Sequence, residues 1–139
     1  MPVPEDEPDL VVMLSVEKLL DQWPNLSPFD QDPWELPEPI TRDEVQRAID
    51  DGSHAQATEP WTDIYDREYH VRRVAHFVVE GWEDPLDMDL GVPVLGFVPE
   101  HPLHDGNHRF AAAIFRGQAS VGASVSGQIQ GWIDHFQAA

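Results

Sequence analysis

The stretch "HPLHDGNHRF", His101 to Phe110, sets three histidines, an aspartate, an asparagine and an arginine around a single glycine. A turn through Gly106 into a helix starting near Asn107 would leave the amides of Gly106, Asn107 and His108 unpaired at the positive end of the helix dipole. Asp105 is the natural N-cap, and His108 and Arg109 can add charge-assisted donors over the same spot. A strand–turn–helix start of this kind suits an anion, phosphate above all. The competing reading is that Asp105 only caps a core helix while Arg109 pairs with one of the chain's many carboxylates. A third chemistry would use the H-x2-H-x3-H spacing of His101, His104 and His108 with Asp105 beside them. Pro102 and Gly106 break the helical face such ligands would share, so no metal site is expected.

The elements that must position these groups are legible around them. "DLVVMLSVEKLLDQW" reads as a strand over Leu10–Leu14. Ser15 follows as an N-cap with Lys18 at N3, and Val16, Leu19, Leu20 and Trp23 fall at helical spacing. "PNLSPFDQDPWELPEPI" has five prolines and no periodicity, an irregular segment over about 24–40. "TRDEVQRAIDDG" offers a Thr41–Glu44 capping box and a Gly52 stop, and "SHAQATEPWTDIYD" reads as another loop. In "REYHVRRVAHFVVEGW", Val71, Val74, Ala75 and Val78 form one helical stripe that ends at Gly81. "DPLDMDLG" alternates as a half-buried strand, and "VPVLGFVPEH" reads as a second strand between turns. "NHRFAAAIFRG" is a helix apolar nearly all round. "SVGASVSG" is a short strand, and "QIQGWIDHFQ" a terminal helix or extended tail. The order predicts an α+β domain with a small mixed sheet flanked by helices, a single domain over 1–139.

Composition bounds the function. The formal charge is −18 in 139 residues. Residues 1–66 hold seventeen acids against three basic side chains, a net of −14; residues 67–139 hold nine against five, a net of −4, with six of the seven histidines. Such a chain is repelled by DNA and suits a basic protein partner or a small charged ligand, unless the charge serves solubility alone. No apolar run reaches the ~20 residues of a membrane span. "MPVPEDEPDL" lacks a signal peptide's basic and apolar pattern, so the cytoplasm, bacterial or phage-infected, is the expected compartment. With no cysteine there is no disulfide or thiolate chemistry.

Other side chains carry paired readings. Arg72, Arg73 and His76 lie off the apolar stripe and either reach toward the phosphate position or form a solvated face. Tyr69 and His70 read equally as packing at a helix start. The five tryptophans, 23, 34, 61, 82 and 132, are expected as core and loop anchors, with Trp23 and Trp34 the alternative partner surface. The pairs Asp50–Asp51 and Asp87–Asp89 are candidate Mg2+ carboxylates.

Two families share the central motif. "HPLHDGNHR" resembles the adenylyl-transferring Fic motif, which places His101 at the catalytic base. Here His108 stands where that family has its second glycine, and a strand-like segment precedes a motif that in the family joins two helices. More of the chain is similar to the ParB/sulfiredoxin fold. "DGNHRFAAAIFRGQASVGASVSG" resembles its second box, "VRRVAHFVVEGWEDPLDMDLG" the elements before that box, and "DLVVMLSVEKLL" the opening strand and helix. This resemblance implies a site for the phosphates of CTP or ATP, with Mg2+ as companion. Its binding residues would be Gly106, Asn107, His108 and Arg109, with Asp105 fixing the turn and Arg72 and Arg73 the phosphate-binding candidates that the neighbouring helix adds. NTP hydrolysis or phosphoryl transfer to a small molecule would rest on His108 and Arg109. Sulfiredoxins carry their catalytic cysteine at the position of Asn107, so this cysteine-free chain cannot run that reaction. Little chain follows the box, so the DNA-binding and dimer domains of a complete partitioning ParB are not expected. The alternative is an acidic, DNA-mimic-like interaction or inhibitor protein, phage- or plasmid-encoded, that occupies a basic protein partner.

Overall fold

The computed structural model describes residues 10–34, 36–58, 67–91, 96, 98–126 and 130–138. Among these the protein is mixed α+β, with five α-helices and a four-stranded sheet. The strands are β1 (Leu10–Ser15), β2 (Leu86–Asp89), β3 (Leu103–Asp105) and β4 (Ser120–Ser126). Their spatial order is β1-β4-β2-β3, and only the central β4–β2 pair is parallel. The helices are α1 (Val16–Gln22), α2 (Arg42–Asp50), α3 (Arg67–Glu80), α4 (Asn107–Arg116) and α5 (Gln130–Phe136). No described helix is long and apolar enough to cross a membrane.

The local signals act as their chemistry requires. The Ser15 hydroxyl accepts from the Lys18 amide, and Thr41 and Glu44 form a reciprocal capping box. Gly81 and Gly117, at φ of 73° and 69°, end α3 and α4 in the left-handed conformation that glycine tolerates. β2 alternates buried Leu86 and Met88 with exposed Asp87 and half-buried Asp89. The proline-rich segment holds one short 3₁₀ turn, Pro24–Leu26, and 53–58 forms another 3₁₀ stretch where a loop is expected. The strand expected at "VPVLGFVPEH" is not found in its described part: Gly96 lies in a turn, and 98–100 join no strand. Residues 92–95 and 97 lie outside the described residues. The strand beside β2 is instead Leu103–Asp105, which was expected as turn and helix entry. Leu103 pairs with Met88 and the Pro102 carbonyl accepts from the Asp89 amide, so burial of Leu103 and ladder bonding select these residues.

α4 is the central layer. Its Phe110 and Ala113 join the core on the sheet's inner face with Leu14, Leu86, Met88 and Val125. Its Ala111 and Ala112 face a second cluster with Val45, Val71, Val74 and Ala75 of α2 and α3. Alanine on two sides lets both layers approach one helix, which explains a segment apolar nearly all round. Trp23 is buried and its indole N–H donates to the Pro99 carbonyl at 2.8 Å; Trp34 and Trp82 are half-buried. Trp61 and the side chain of Trp132 lie outside the described residues.

Candidate functional site at the start of α4

Gly106, not Asp105, is the N-cap of α4, with φ 115° and ψ 22°. No side chain caps this helix, and the Gly106 carbonyl accepts from the Phe110 amide at 2.8 Å. Asp105 cannot cap because it belongs to β3, pairing with Asp87, and its carboxylate is 82% exposed. A Cβ on Gly106 would meet Leu86 Cδ2 at 2.6 Å, so close packing as well as the positive φ demands glycine.

Arg109 is held from two sides. Its Nη1 donates to the carbonyls of Asp84 (3.0 Å) and Pro85 (3.3 Å), and its Nη2 lies 3.6 Å from Asp105 Oδ2. Beside it opens a cavity of about 360 Å³, lined by Arg73, Phe77, Trp82, Asp84, Pro85 and the Asp105–Gly106 and His108–Arg109 pairs. The two expected arginines of α3 therefore part company. Arg73 reaches this cavity and lies over the Phe77 ring, whereas Arg72 pairs with Glu68 at 3.1 Å and lines a separate hollow between α2 and α3. One residue along a helix is a turn of about 100°, enough to send neighbours to different faces.

His108 differs most from expectation. Its Nε2 lies 2.8 Å from Nδ1 of buried His70. Trp34 stacks on both rings, with centroids at 4.5 and 4.6 Å, and Tyr69 meets them edge-on. The proline-rich segment delivers Trp34 through Asp32, whose Oδ2 accepts from the amides of Trp34 and Leu36. Burial, reinforced by His70, Arg73 and Arg109, pushes the His108 imidazole down to about 3. It is neutral at pH 7 and cannot serve as the cationic phosphate donor expected of it. The amide oxygen of Asn107 is buried without a hydrogen-bond partner among the described residues, an unsatisfied group at the same helix start.

The remaining candidates stand apart. His101 directs Nδ1 at the Leu103 carbonyl (3.2 Å) and is not among the cavity-lining residues; His104 is exposed on β3. The three histidines of the motif do not converge, and among the described residues no cluster suits a metal ion. Asp51 accepts from the Ser53 amide and Asp89 from that of Gly91, and neither acidic pair lines the α4 cavity. The sequence reading missed the pairing role of His70 and the roles of Trp34, Phe77 and Trp82. His70 carried a signal, since it lies four residues before Val74 on the buried stripe; the others had none locally.

In comparison with known proteins, no family model, no curated protein and no solved structure matches the chain.

Proposed function

We propose that the chain is a nucleotide-binding protein of the ParB/sulfiredoxin-like kind, holding the phosphates of CTP or ATP at the start of α4. The observation that carries this reading is the convergence of Arg73 and Arg109, from two helices, on one cavity at a helix start that no side chain caps. Two cations at a helix start without a side-chain cap supply what a phosphate needs. Arg109 is the preorganised member, since its bonds to the Asp84 and Pro85 carbonyls fix the guanidinium beforehand. His108 serves as a neutral hydrogen-bonding group positioned by His70. Asp84 and Asp105, in the same lining, are the carboxylates on hand for an accompanying Mg2+. Hydrolysis or phosphoryl transfer belongs to the proposal as the activity such binding would serve.

The test is thermal unfolding with CTP, ATP, ADP and AMP, with and without Mg2+, on wild type and Arg73→Ala. Arg109→Ala is the poorer variant because it also removes struts to the turn before β2. A ligand at ~100 times its dissociation constant adds ~2.7 kcal/mol, a rise of several degrees for a domain of this size. The expected result is a rise with one nucleotide that shrinks in Arg73→Ala. No rise with any nucleotide, or one equal in both proteins, would sink the reading.

A further inference from the structure

The sheet has a second face, opposite α4, which meets the cavity at the start of α4 along Trp82, Asp84, Pro85 and Asp105. Val11 and Met13 of β1 point to it, 58% and 53% exposed, and belong to neither core cluster. The ladder places Val11 opposite Ser124, Ser124 opposite Asp87 and Asp87 opposite Asp105, one row running across all four strands. In the next row Met13 lies opposite Gly122. The face is thus apolar at the β1 side, floored by serine and glycine on β4, and acidic at the β2–β3 side. At strand spacings of ~4.8 Å the row spans ~14 Å from apolar edge to acidic edge, against ~10–12 Å for the width of a helix. A hollow of about 490 Å³ runs over Val11, Met13 and Gly122 against a wall of Trp82, Pro85 and Arg116. Glu83 and Asp84 add acids to its lining.

A sheet of mostly antiparallel pairing commonly turns a polar face to solvent, and here two large apolar side chains stand on that open face instead. Edge addition to β1 is hindered, because Gln137 bridges to Leu14 and the Ala138 amide donates to the Met13 carbonyl. A second copy of a chain with a net charge of −18 would bring acid against acid, as would an anionic lipid surface or nucleic acid. We infer that this outer face of the sheet docks an amphipathic helix of another protein, with leucine-like side chains on the flank over Val11 and Met13 and lysine or arginine on the flank over Asp87 and Asp105.

The probe is a fluorescein-labelled synthetic helix of leucine and lysine, apolar along one flank, titrated by anisotropy against the whole protein. Met13→Glu removes apolar surface while making the chain more acidic, so bulk attraction and docking on this face predict opposite changes. Docking predicts about tenfold weaker binding for Met13→Glu, the loss of one well-buried anchor. For Asp87→Asn with Asp105→Asn it predicts about fivefold, as for two exposed ion pairs. A control, Asp43→Asn with Asp50→Asn on α2, removes the same charge elsewhere and should stay within about twofold. Circular dichroism confirms that each variant is folded. Tighter binding by Met13→Glu, or equal weakening by the two aspartate pairs, would mean attraction by bulk charge and overturn the inference. So would a wild-type dimer in sedimentation that Met13→Glu dissolves, because the face would then belong to a second copy.

Discussion

Two helix starts in this protein use the same parts and reach opposite ends. At α2, Thr41 and Glu44 satisfy each other's backbone amides, and Arg67 then takes the Glu44 carboxylate with two nitrogens. The same arginine donates to the carbonyls of Glu38 and Pro39, both at 2.8 Å. At α4, Arg109 is likewise pinned to the carbonyls of an acidic residue and the proline after it, Asp84 and Pro85. There the likeness stops. Gly106 has no side chain to cap with, and Asp105 comes only to 3.6 Å of the guanidinium. At α2 the capping box and the Arg67 pair close the Thr41 and Glu44 groups on each other, the pattern of a structural joint. α4 starts without a side-chain cap beside a cavity that Arg73 and Arg109 line, the arrangement on which the proposed phosphate site rests. An arginine and a carboxylate at a helix start are therefore uninformative until one knows whether they satisfy each other.

The largest effect separating the two starts should come from Gly106→Ala. A methyl at φ 115° carries the strain of a left-handed residue and drives into Leu86 Cδ2. The expected loss is about 3 kcal/mol by urea unfolding. A loss below about 1 kcal/mol would show that the start of α4 can relax, and the contrast with the rigid joint at α2 would dissolve.

Acidification comes next and divides the two starts by pH window. The folded pKa of His108 is depressed to about 3 from 6.5, so between these values the unfolded chain binds more protons and stability falls as pH falls. The contribution is complete above 6.5 and costs about 2 kcal/mol at pH 5 relative to pH 7. The Glu44 carboxyl, held below its ordinary 4.5 chiefly by hydrogen bonds from Arg67, also loses stability on acidification, but only below 4.5. Denaturation midpoints between pH 7 and 5 should therefore drop in wild type and flatten in His108→Gln. A profile unchanged by that substitution would place the acid sensitivity elsewhere.

The smallest effect is Thr41→Ala, which removes one half of a solvent-exposed capping box. It should cost about 1 kcal/mol and leave the response to nucleotide unaltered. Dependence of nucleotide binding on Thr41 would mean that the two helix starts are coupled and not independent.

Much of the frame was legible because it rests on short-range chemistry. Ser15, Thr41 with Glu44, Gly81 and Gly117 act within a turn of their own positions, and the stripe of Val71, Val74 and Ala75 follows from helical period alone. Where local signals conflicted the reading failed. Of "VPVLGFV", with its strand composition, only Gly96 and Val98 are described, and neither lies in a strand. Leu103, expected in a turn, takes the place beside Met88, because pairing is decided by which residues the sheet can bury.

By itself the sequence determined the helix that starts at Asn107, the need for glycine just before it and the acidity of the chain. Only the tertiary structure decided that Arg73 rather than Arg72 shares the cavity, that His70 meets His108 across 38 residues, and that a tryptophan from the proline-rich segment covers both rings. The reason is physical. Periodicity tells which side chains share a face, but the partner of that face is chosen by the packing of distant elements, and burial then sets whether a histidine there carries charge.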